Sequence, residues 1–302
     1  MTEQRFKKEE TSKTKLIKVS FHLKYKTHFG QGIYIYGNHA QLGNNTIENA
    51  LPLVYLNNDY WVLHLEIDAA LDPHKIIYHY FIQNADGTMS FEAGNDKSID
   101  LKLHHNSELV MIDSWNFTGF IENTFYTSPF ANVLLKQPGG QKTVVIDKTA
   151  THVFRVKAPI VGENQTICIA GAAKILGAWN AKKALMLTKV IGEDYYEISI
   201  DTAKSKFPFV YKYGIADATT NTFLKFEEGE DRVLLEPVGK NKLVIINDGF
   251  VHLNTTHWKG AGVAIPVFSL RSNKSAGVGE FADIKLLVDW ANKVGLKLIQ
   301  IL

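Results

Sequence analysis

Residues 168–183 have the sequence CIAGAAKILGAWNAKK, and residues 34–45 have the similar sequence YIYGNHAQLGNN. The Leu-Gly pair of the later stretch follows that of the earlier one by 134 positions, from Gly43 to Gly177. Three other landmarks recur at offsets of 133 to 135: Tyr78-His79-Tyr80 with Tyr211-Lys212-Tyr213, Phe91-Glu92 with Phe226-Glu227, and Asp113 with Asp248. Such a constant offset indicates two copies of one domain. The copies differ after Leu-Gly, where the second has Trp179 and the first has Asn45.

Each copy is a series of short alternating or apolar runs separated by Gly, Asn, Asp and Pro. The runs span residues 18–24, 32–36, 60–67, 75–83, 89–92 and 108–112 in the first copy, and 152–157, 166–170, 195–200, 207–215, 222–226 and 243–247 in the second. This pattern is typical of strands joined by turns. The sequence therefore predicts a mainly β protein with two antiparallel, immunoglobulin-like β-sandwiches in tandem.

The carboxyl-terminal region has a different pattern of apolar residues. An apolar run at 262–270, which Pro266 interrupts, precedes an amphipathic helix predicted at 280–294 and a second apolar run at 296–302. Strand, helix and strand in this order open a parallel α/β fold. We expect Asp283 and Asp289 on the solvated face of the helix, without a catalytic role.

These patterns divide the chain into six parts. They are a disordered tail (1–13), the first module (14–115), a connector (116–150), the second module (151–250), a linker (251–259) and the α/β opening (260–302). The first half of the connector is too apolar for a free linker, so we expect it to pack on a sandwich and hold the two modules in a fixed relation.

Composition excludes several classes of partner. Against 31 acidic side chains there are 33 basic ones, and the net charge of +2 argues against nucleic acid or an anionic membrane. The one cysteine, Cys168, lies in an apolar run and is expected to be a buried, inert thiol. No run approaches the ~18 apolar residues of a membrane span, so we expect a cytoplasmic protein. Neither a cofactor nor a metal site is predicted.

One group of residues in the second copy suits a sugar. A pyranose ring has an apolar face and a rim of hydroxyls, so proteins bind it with an exposed aromatic ring and a few fixed polar groups. Trp179 lies in a glycine-rich turn, Phe226 ends a strand, and Lys212 alternates to the solvent side of its strand. The alternative is that the aromatic rings cover the core and the lysine is simply solvated.

The two copies resemble the starch-binding modules, carbohydrate-binding modules of family 20. The motifs that carry the resemblance are FGQGIYIYG (29–37), QLG (41–43), YHY (78–80) and FEAG (91–94) in the first copy, and GEN (162–164), IAG (169–171), LGAW (176–179), YKY (211–213) and FE (226–227) in the second. The main site of this family stacks sugar on two tryptophans, one after Leu-Gly and one before the Glu, helped by a lysine and an asparagine.

Carried over to the second copy, the resemblance implies a glucan-binding site of Trp179, Lys212, Phe226, Glu227 and Asp231. Phe226 takes the place of the second tryptophan and Asp231 that of the asparagine, so we expect weak binding.

In the first copy the resemblance implies a largely dismantled main site. Its corresponding residues are Asn45, His79, Phe91, Glu92 and Asp96. The family also has a second site, which uses an aromatic residue before a Gly-x-Asn turn. Phe29 fits that position in the first copy, whereas Val161 in the second copy does not.

Residues 260–302 resemble the opening of the amylomaltases, the 4-α-glucanotransferase or disproportionating-enzyme family (glycoside hydrolase family 77). The matching motifs are FSLRS (268–272), SAGVGEF (275–281), DWA (289–291) and LIQIL (298–302). The resemblance implies the start of a truncated (β/α)8 barrel, with Ser269, Ser275, Gly277 and Gly279 in a loop that lines the sugar cleft. Ala276 stands where simpler members have a substrate-contacting tyrosine. Ordinary turn chemistry is the alternative for the two serines.

Tandem starch-binding modules before this opening resemble the plant cytosolic type of disproportionating enzyme. The implied reaction is retaining transfer of α-1,4-glucan units, in which an acceptor sugar resolves a covalent glycosyl-enzyme. The family's catalytic carboxylates lie further downstream, so we expect these 302 residues to anchor glycogen, starch, heteroglycan or maltooligosaccharides without being active themselves. A non-catalytic α-glucan-binding or scaffolding protein is the alternative, and a role of the sandwiches in assembly alone is a third possibility.

Overall fold

The computed structural model describes residues 16–70, 73–94, 97–101, 107–135, 147, 149–162, 164–237, 239, 241–253 and 259–302. The chain forms two compact units, Met1–Thr127 with Gln137–Asn254 and Ser128–Lys136 with Thr255–Leu302. The predicted tail at 1–13, part of the predicted connector and most of the predicted linker lie outside the described residues.

The strands of the larger unit follow the two sequence copies. In the first copy they are β1 (Leu16–Lys24), β2 (Gly32–Gly37), β3 (Leu51–Pro52), β4 (Val54–Tyr55), β5 (Tyr60–Asp68), β6 (Lys75–Gln83), β7 (Met89–Phe91), β8 (Ser98–Asp100) and β9 (Glu108–Ser114). In the second they are β10 (His152–Lys157), β11 (Gln165–Gly171), β12 (Leu185–Met186), β13 (Thr188–Lys189), β14 (Tyr195–Ile200), β15 (Phe209–Asp217), β16 (Phe223–Phe226), β17 (Arg232–Leu234) and β18 (Lys242–Phe250). The twelve predicted strands are confirmed, with ends shifted by no more than three residues.

Each copy has one sheet of its own. In the first copy its order is β3-β2-β6-β7 with β8 also on β6, and in the second it is β12-β11-β15-β16 with β17 also on β15. Short 3-10 helices occupy the turns at Ala40–Leu42, Ile47–Asn49, Lys174–Leu176 and Ala181–Lys183. The mainly β, sandwich-like fold is therefore confirmed.

The remaining strands form one eight-stranded sheet that both copies share, in the order β13-β14-β10-β18-β9-β1-β5-β4. One face of its middle strands is buried in the first core through Leu109, Met111, Val153, Leu243 and Ile245. The other face belongs to the second core or packs against it through Val110, Ile112, Phe154, Val244 and Ile246. The shared sheet thus lies between the two outer sheets, and the two sandwiches have one sheet in common.

The junction within this sheet is parallel, which the prediction of two separate antiparallel sandwiches did not include. Strand β9 pairs in parallel with β18, and each of these also pairs in parallel with the first strand of its own copy. Strands buried on both faces have nearly continuous apolar sequences. LVMI at 109–112 and LVII at 243–246 are such sequences, so they indicated burial on both faces but not which strands pair.

Buried polar contacts also cross the junction. The side-chain amide of Asn247 donates to Asp113 Oδ1 over 2.5 Å. The Arg155 guanidinium donates to the carbonyl of Ser98 in the other copy (2.8 Å) and to Glu197 (2.6 Å), and both side chains of this ion pair are less than a tenth exposed. Removing one partner of a buried ion pair leaves an uncompensated charge. The two modules are therefore held in one arrangement.

The connector begins on the surface of the second copy. A 3-10 helix at Ile121–Tyr126 follows β9, and the Tyr126 hydroxyl donates to the carbonyl of Asp194 over 2.9 Å. The rings of Phe120 and Tyr126 lie 5.9 and 6.3 Å from that of Phe250.

The smaller unit contains β19 (Gly262–Ile265), α1 (Ile284–Val294) and β20 (Leu298–Ile301), with 3-10 turns at Val267–Ser269 and Phe281–Asp283 and a π-helical turn at Phe130–Leu134. Strands β19 and β20 are parallel, which confirms the predicted strand-helix-strand opening. The first strand ends before Pro266, because proline has no N–H for the ladder. The expected solvated position of Asp283 is wrong: its carboxylate is 7% exposed and accepts hydrogen bonds from the Ser275 hydroxyl and the backbone N–H of Glu280.

Composition also led to expectations about Cys168 and about membrane-spanning segments. Cys168 is fully buried, and burial raises the pKa of its thiol to about 12, which keeps it protonated and unreactive. None of the helices in the described ranges has the length and hydrophobicity that a bilayer span requires.

Candidate functional site

The turn that carries Trp179 has an unusual backbone. Three successive residues, Gly177, Ala178 and Trp179, have φ values of 82°, 51° and 60°. The backbone N–H of Trp179 donates to the carbonyl of Gly171 over 2.8 Å, which fixes the turn to the end of β11. A bulky residue at positive φ is a genuine outlier, because its Cβ crowds the backbone. The fold therefore holds an indole in a conformation that glycine or asparagine would adopt more easily.

The indole forms an aromatic pair with Phe226. Trp179 is 38% exposed, and its ring centroid lies 6.0 Å from that of Phe226 with the planes at 79°. Phe226 rests in turn on Phe223, whose ring centroid is 4.5 Å away. Phe226 lies opposite Gly214 in the β-ladder. A Cβ at position 214 would lie 3.0 Å from the Phe223 ring, so the glycine leaves room for the two phenylalanines. We call Trp179 and Phe226 the aromatic platform.

A fixed cation lies on the same sheet. The Lys212 ammonium donates to the carbonyl of Gly229 over 2.6 Å and lies 3.5 Å from Asp231 Oδ1. The Lys212 side chain is 15% exposed and that of Asp231 is 46% exposed. An ammonium has three donors, so Lys212 keeps donor capacity while Asp231 offers accessible acceptor oxygens.

Glu227 lies beneath the surface. It is 4% exposed, and its carboxylate accepts from two guanidinium nitrogens of Arg232 (2.9 and 2.8 Å) and from the backbone N–H groups of Tyr213 (3.0 Å) and His252 (3.3 Å). Burial opposes its ionisation, but these hydrogen bonds outweigh burial and lower the pKa of Glu227. The expectation that Glu227 contacts sugar therefore does not fit its position. Glu227 and Arg232 instead hold the strand end that carries Phe226.

Arg232 was not singled out from the sequence, although the repeat contained a signal. Lys97 stands 135 positions earlier and pairs with Glu92, so each copy has a basic residue at this position for its buried glutamate. The Glu92 side chain is 2% exposed and accepts from the N–H of Tyr80, which assigns Glu92 the same framework role.

The Tyr-x-Tyr motifs are also part of the framework. The hydroxyls of Tyr211 and Tyr213 both donate to Asp248 Oδ2 over 2.8 Å, and all three belong to the second copy. In the first copy Tyr78 and Tyr80 donate to Asp113 in the same way. Because the tyrosines point into the core, the residue between them, lysine or histidine, points outward.

The first copy repeats the turn without the tryptophan. Asn45 has φ 60°, and its N–H donates to the carbonyl of Gly37 over 2.6 Å. His79 lies opposite Tyr36 in the ladder, and Phe91 is 39% exposed and packs on Phe81. Asp96 lies outside the described residues.

Phe29 is separate from these residues. Its side chain is fully exposed at 106%, in a turn where Gly30 has φ 84°. This turn precedes β2, whereas the Asn45 turn follows it, so about 17 to 20 Å of strand separates the two positions. The equivalent Val161 in the second copy is 8% exposed.

The predicted cleft loop of the smaller unit is held by local turn contacts. The Ser269 hydroxyl donates to the carbonyl of Pro266 over 2.8 Å, and Ser275 donates to Asp283 over 2.8 Å. Gly277 has φ 102°, and a Cβ on Gly279 would lie 1.8 Å from the carbonyl of Leu270. These features are those of a local turn, and the predicted role of the four residues in a sugar cleft stays a prediction.

A different cavity of about 420 Å³ lies where the two copies meet. His22, His64 and His152 line it, together with the apolar side chains of Val110 and Val244. None of the residues predicted from sequence contributes to this cavity. In the parts of the chain that the structure describes, no cluster of three or more metal-ligating side chains occurs.

Comparison with known proteins gives matches to two families. Residues 16–110 and 150–244 match the starch binding domain family, and residues 265–302 match the 4-alpha-glucanotransferase family. The chain is 30% identical over 297 residues to 4-alpha-glucanotransferase DPE2 of Oryza sativa subsp. japonica, a match that covers 93% of this chain and 31% of the relative.

Two further matches are shorter. The 4-alpha-glucanotransferase of Chlamydia caviae is 44% identical over 41 residues, which is 14% of this chain and 8% of the relative. Among solved structures, the family 20 module of the maltotetraose-forming amylase from Pseudomonas saccharophila is 24% identical, with a TM-score of 0.24, and the match covers 28% of this chain and 89% of that one. The chain thus spans about a third of its rice relative. Because the two matched segments make up more than half of its residues, the chain belongs to the starch binding domain family.

Proposed function

We propose that the aromatic platform of the second module binds α-1,4-glucan chains, so that this region anchors a glycogen-like or starch-like polymer. The observation that carries the proposal is the backbone of Trp179. A residue held in a strained conformation and left partly exposed contributes little to stability, and such outliers cluster at functional sites. The first copy has Asn45 in the same conformation, so the turn itself does not require an indole.

The neighbouring polar groups suit the rim of a glucose residue. The apolar face of the sugar would lie on the Trp179 indole, with Phe226 at an angle beside it. Lys212 would donate to a hydroxyl oxygen and Asp231 would accept from a hydroxyl. Both groups are restrained by contacts within the protein, which reduces the entropy lost on binding.

A site of this size binds weakly. Stacking on one ring contributes on the order of 1 kcal/mol, so we expect millimolar affinity for short maltooligosaccharides. A polymer with many chain ends engages several sites at once, and the gain depends on their geometry. The shared central sheet supports such a gain, because it fixes the distance between the two modules.

We further propose that the anchored glucan is a substrate of 4-α-glucanotransferase chemistry. The family matches support the class of reaction, retaining transfer of α-1,4-glucan units to an acceptor sugar. No residue described here is proposed as nucleophile or acid. The role of residues 16–253 would be to raise the local concentration of polymer.

Native gel electrophoresis through glycogen tests the binding proposal. Trp179→Ala should weaken the retardation about five- to tenfold in apparent affinity, since it removes the main stacking surface. Trp290→Ala is the matched control, because Trp290 is 49% exposed on α1, outside the platform. Equal retardation of wild type and Trp179→Ala would refute the proposal.

A further inference from the structure

The two copies carry an aromatic side chain at different places, on the turn after the strand in one copy and on the strand itself in the other. In the second copy Ala170 on β11 lies opposite Lys212, and Trp179 occupies the following turn. In the first copy the equivalent strand position is Tyr36, opposite His79. The equivalent turn position holds an asparagine, not a tryptophan. An aromatic ring is thus present in both copies, on the turn in one and on the strand in the other.

The Tyr36 ring has firm support. Its centroid lies 5.4 Å from that of His79 and 6.0 Å from that of Phe81. Phe81 is 3% exposed and is stacked on Tyr34 at 5.1 Å with nearly parallel planes, while Phe91 packs on it at 5.5 Å. A ring braced on an aromatic cluster loses little freedom when a ligand covers it.

A cavity lies beside this ring. It has a volume of about 470 Å³, and its lining residues are Tyr36, Asn38, Asn45, Ile77, His79, Glu92 and Gly94. That volume falls within the range of small-molecule sites. The lining combines two rings and one aliphatic side chain with two amides, which supply both donors and acceptors, and with the edge of the Glu92 carboxylate.

We infer that the first module binds a segment of α-1,4-glucan in this cavity, with Tyr36 as the stacking ring and Asn45 as a hydrogen-bonding partner. The inference rests on the proposed glucan binding, and it assigns that binding to a residue that the family resemblance does not indicate. The first module is then a second anchor of different construction, not an inactive copy.

The test uses the full chain in a background that lacks the other candidate rings, Trp179→Ala with Phe29→Ala. Retardation in glycogen gels should persist at reduced strength in this background. Adding Tyr36→Ala should weaken the remaining apparent affinity about fivefold or more, as expected for one stacking ring. Adding Tyr36→Phe should change it less than twofold, because the ring is kept. Maltohexaose should compete for the remaining binding, and cellohexaose, its β-linked counterpart, should not.

Several results would overturn the inference. They are a background with no residual retardation, no further loss with Tyr36→Ala, and an equal loss with Tyr36→Phe. Thermal unfolding of each variant verifies that the fold is kept. If the alanine variant unfolds, Tyr36→Leu, which keeps an apolar side chain without a ring, replaces it and should show the same loss. Failure of the proposed function is distinguishable, since it would appear as full retardation of the single Trp179→Ala variant.

Discussion

At position 179 we predict that a glycine variant is more stable than an alanine variant, which reverses the usual order. The perturbation is a pair of substitutions, Trp179→Gly and Trp179→Ala, which both remove the indole and its contact with Phe226. At an ordinary position glycine is less stable than alanine by about 0.5–1 kcal/mol, because the unfolded chain has more freedom. At φ 60° alanine carries a left-handed penalty of about 1–2 kcal/mol that glycine does not.

The difference between the two variants isolates that strain. We expect Trp179→Gly to be more stable than Trp179→Ala by roughly 0.5–1 kcal/mol, although both are unable to stack sugar. Guanidinium unfolding of the full chain, followed by far-UV circular dichroism, measures the difference in midpoint. Ala184→Gly is the matched control, because Ala184 follows the same turn with φ −58° and should lose stability. A Trp179→Ala variant more stable than Trp179→Gly would refute the argument from strain.

Three other predictions concern the framework. Arg232→Met should reduce the free energy of unfolding by about 3–5 kcal/mol, because it leaves the Glu227 carboxylate buried without its partner. Arg232→Lys keeps a positive charge and should cost less, and denaturant titration of both variants measures the difference. Ile245 and Ile246 are adjacent on β18 but belong to different cores. Replacing either with alanine should reduce the free energy of the same single unfolding transition by about 2–4 kcal/mol. Calorimetry that resolves two transitions would contradict the shared sheet. Burial lowers the pKa of His152 from 6.5 to about 4. Between these values the imidazole is protonated in the unfolded chain but neutral in the folded chain. The free energy of unfolding should therefore fall by about 2–3 kcal/mol as pH decreases from 6.5 to 4.5. Urea titrations of wild type and His152→Gln should diverge in that range, and parallel curves would refute the assignment.

Most of the secondary structure could be predicted from local patterns. Alternation and turn residues located the twelve main strands, and the hydrophobic stripe located α1. These features depend on neighbours in sequence, which is why they can be inferred without coordinates. The repeat correctly paired the turns as well, since Trp179 and Asn45 have the same φ.

The shared sheet could not be derived from those patterns. The pairing of β9 with β18 joins residues 134 positions apart, Glu108 with Lys242, and depends on how two complete sandwiches meet. Apolar runs at both strands were the available clue, but such runs fit any strand buried on both faces. Burial of Glu227 was missed for a similar reason. A glutamate at a strand end looks exposed unless its partner, Arg232 five residues later, is already known to fold back on it.

The central claim is that glucan stacks on the indole of Trp179. The most direct measurement is a titration of the ¹⁵N-labelled chain with maltoheptaose, followed through the indole N–H resonances of its five tryptophans, with Trp179 assigned by substitution. We expect the Trp179 resonance to shift in a saturable manner with a millimolar midpoint, while that of Trp290 stays fixed. A Trp179 resonance that does not move at several tens of millimolar maltoheptaose would contradict stacking of glucan on this indole.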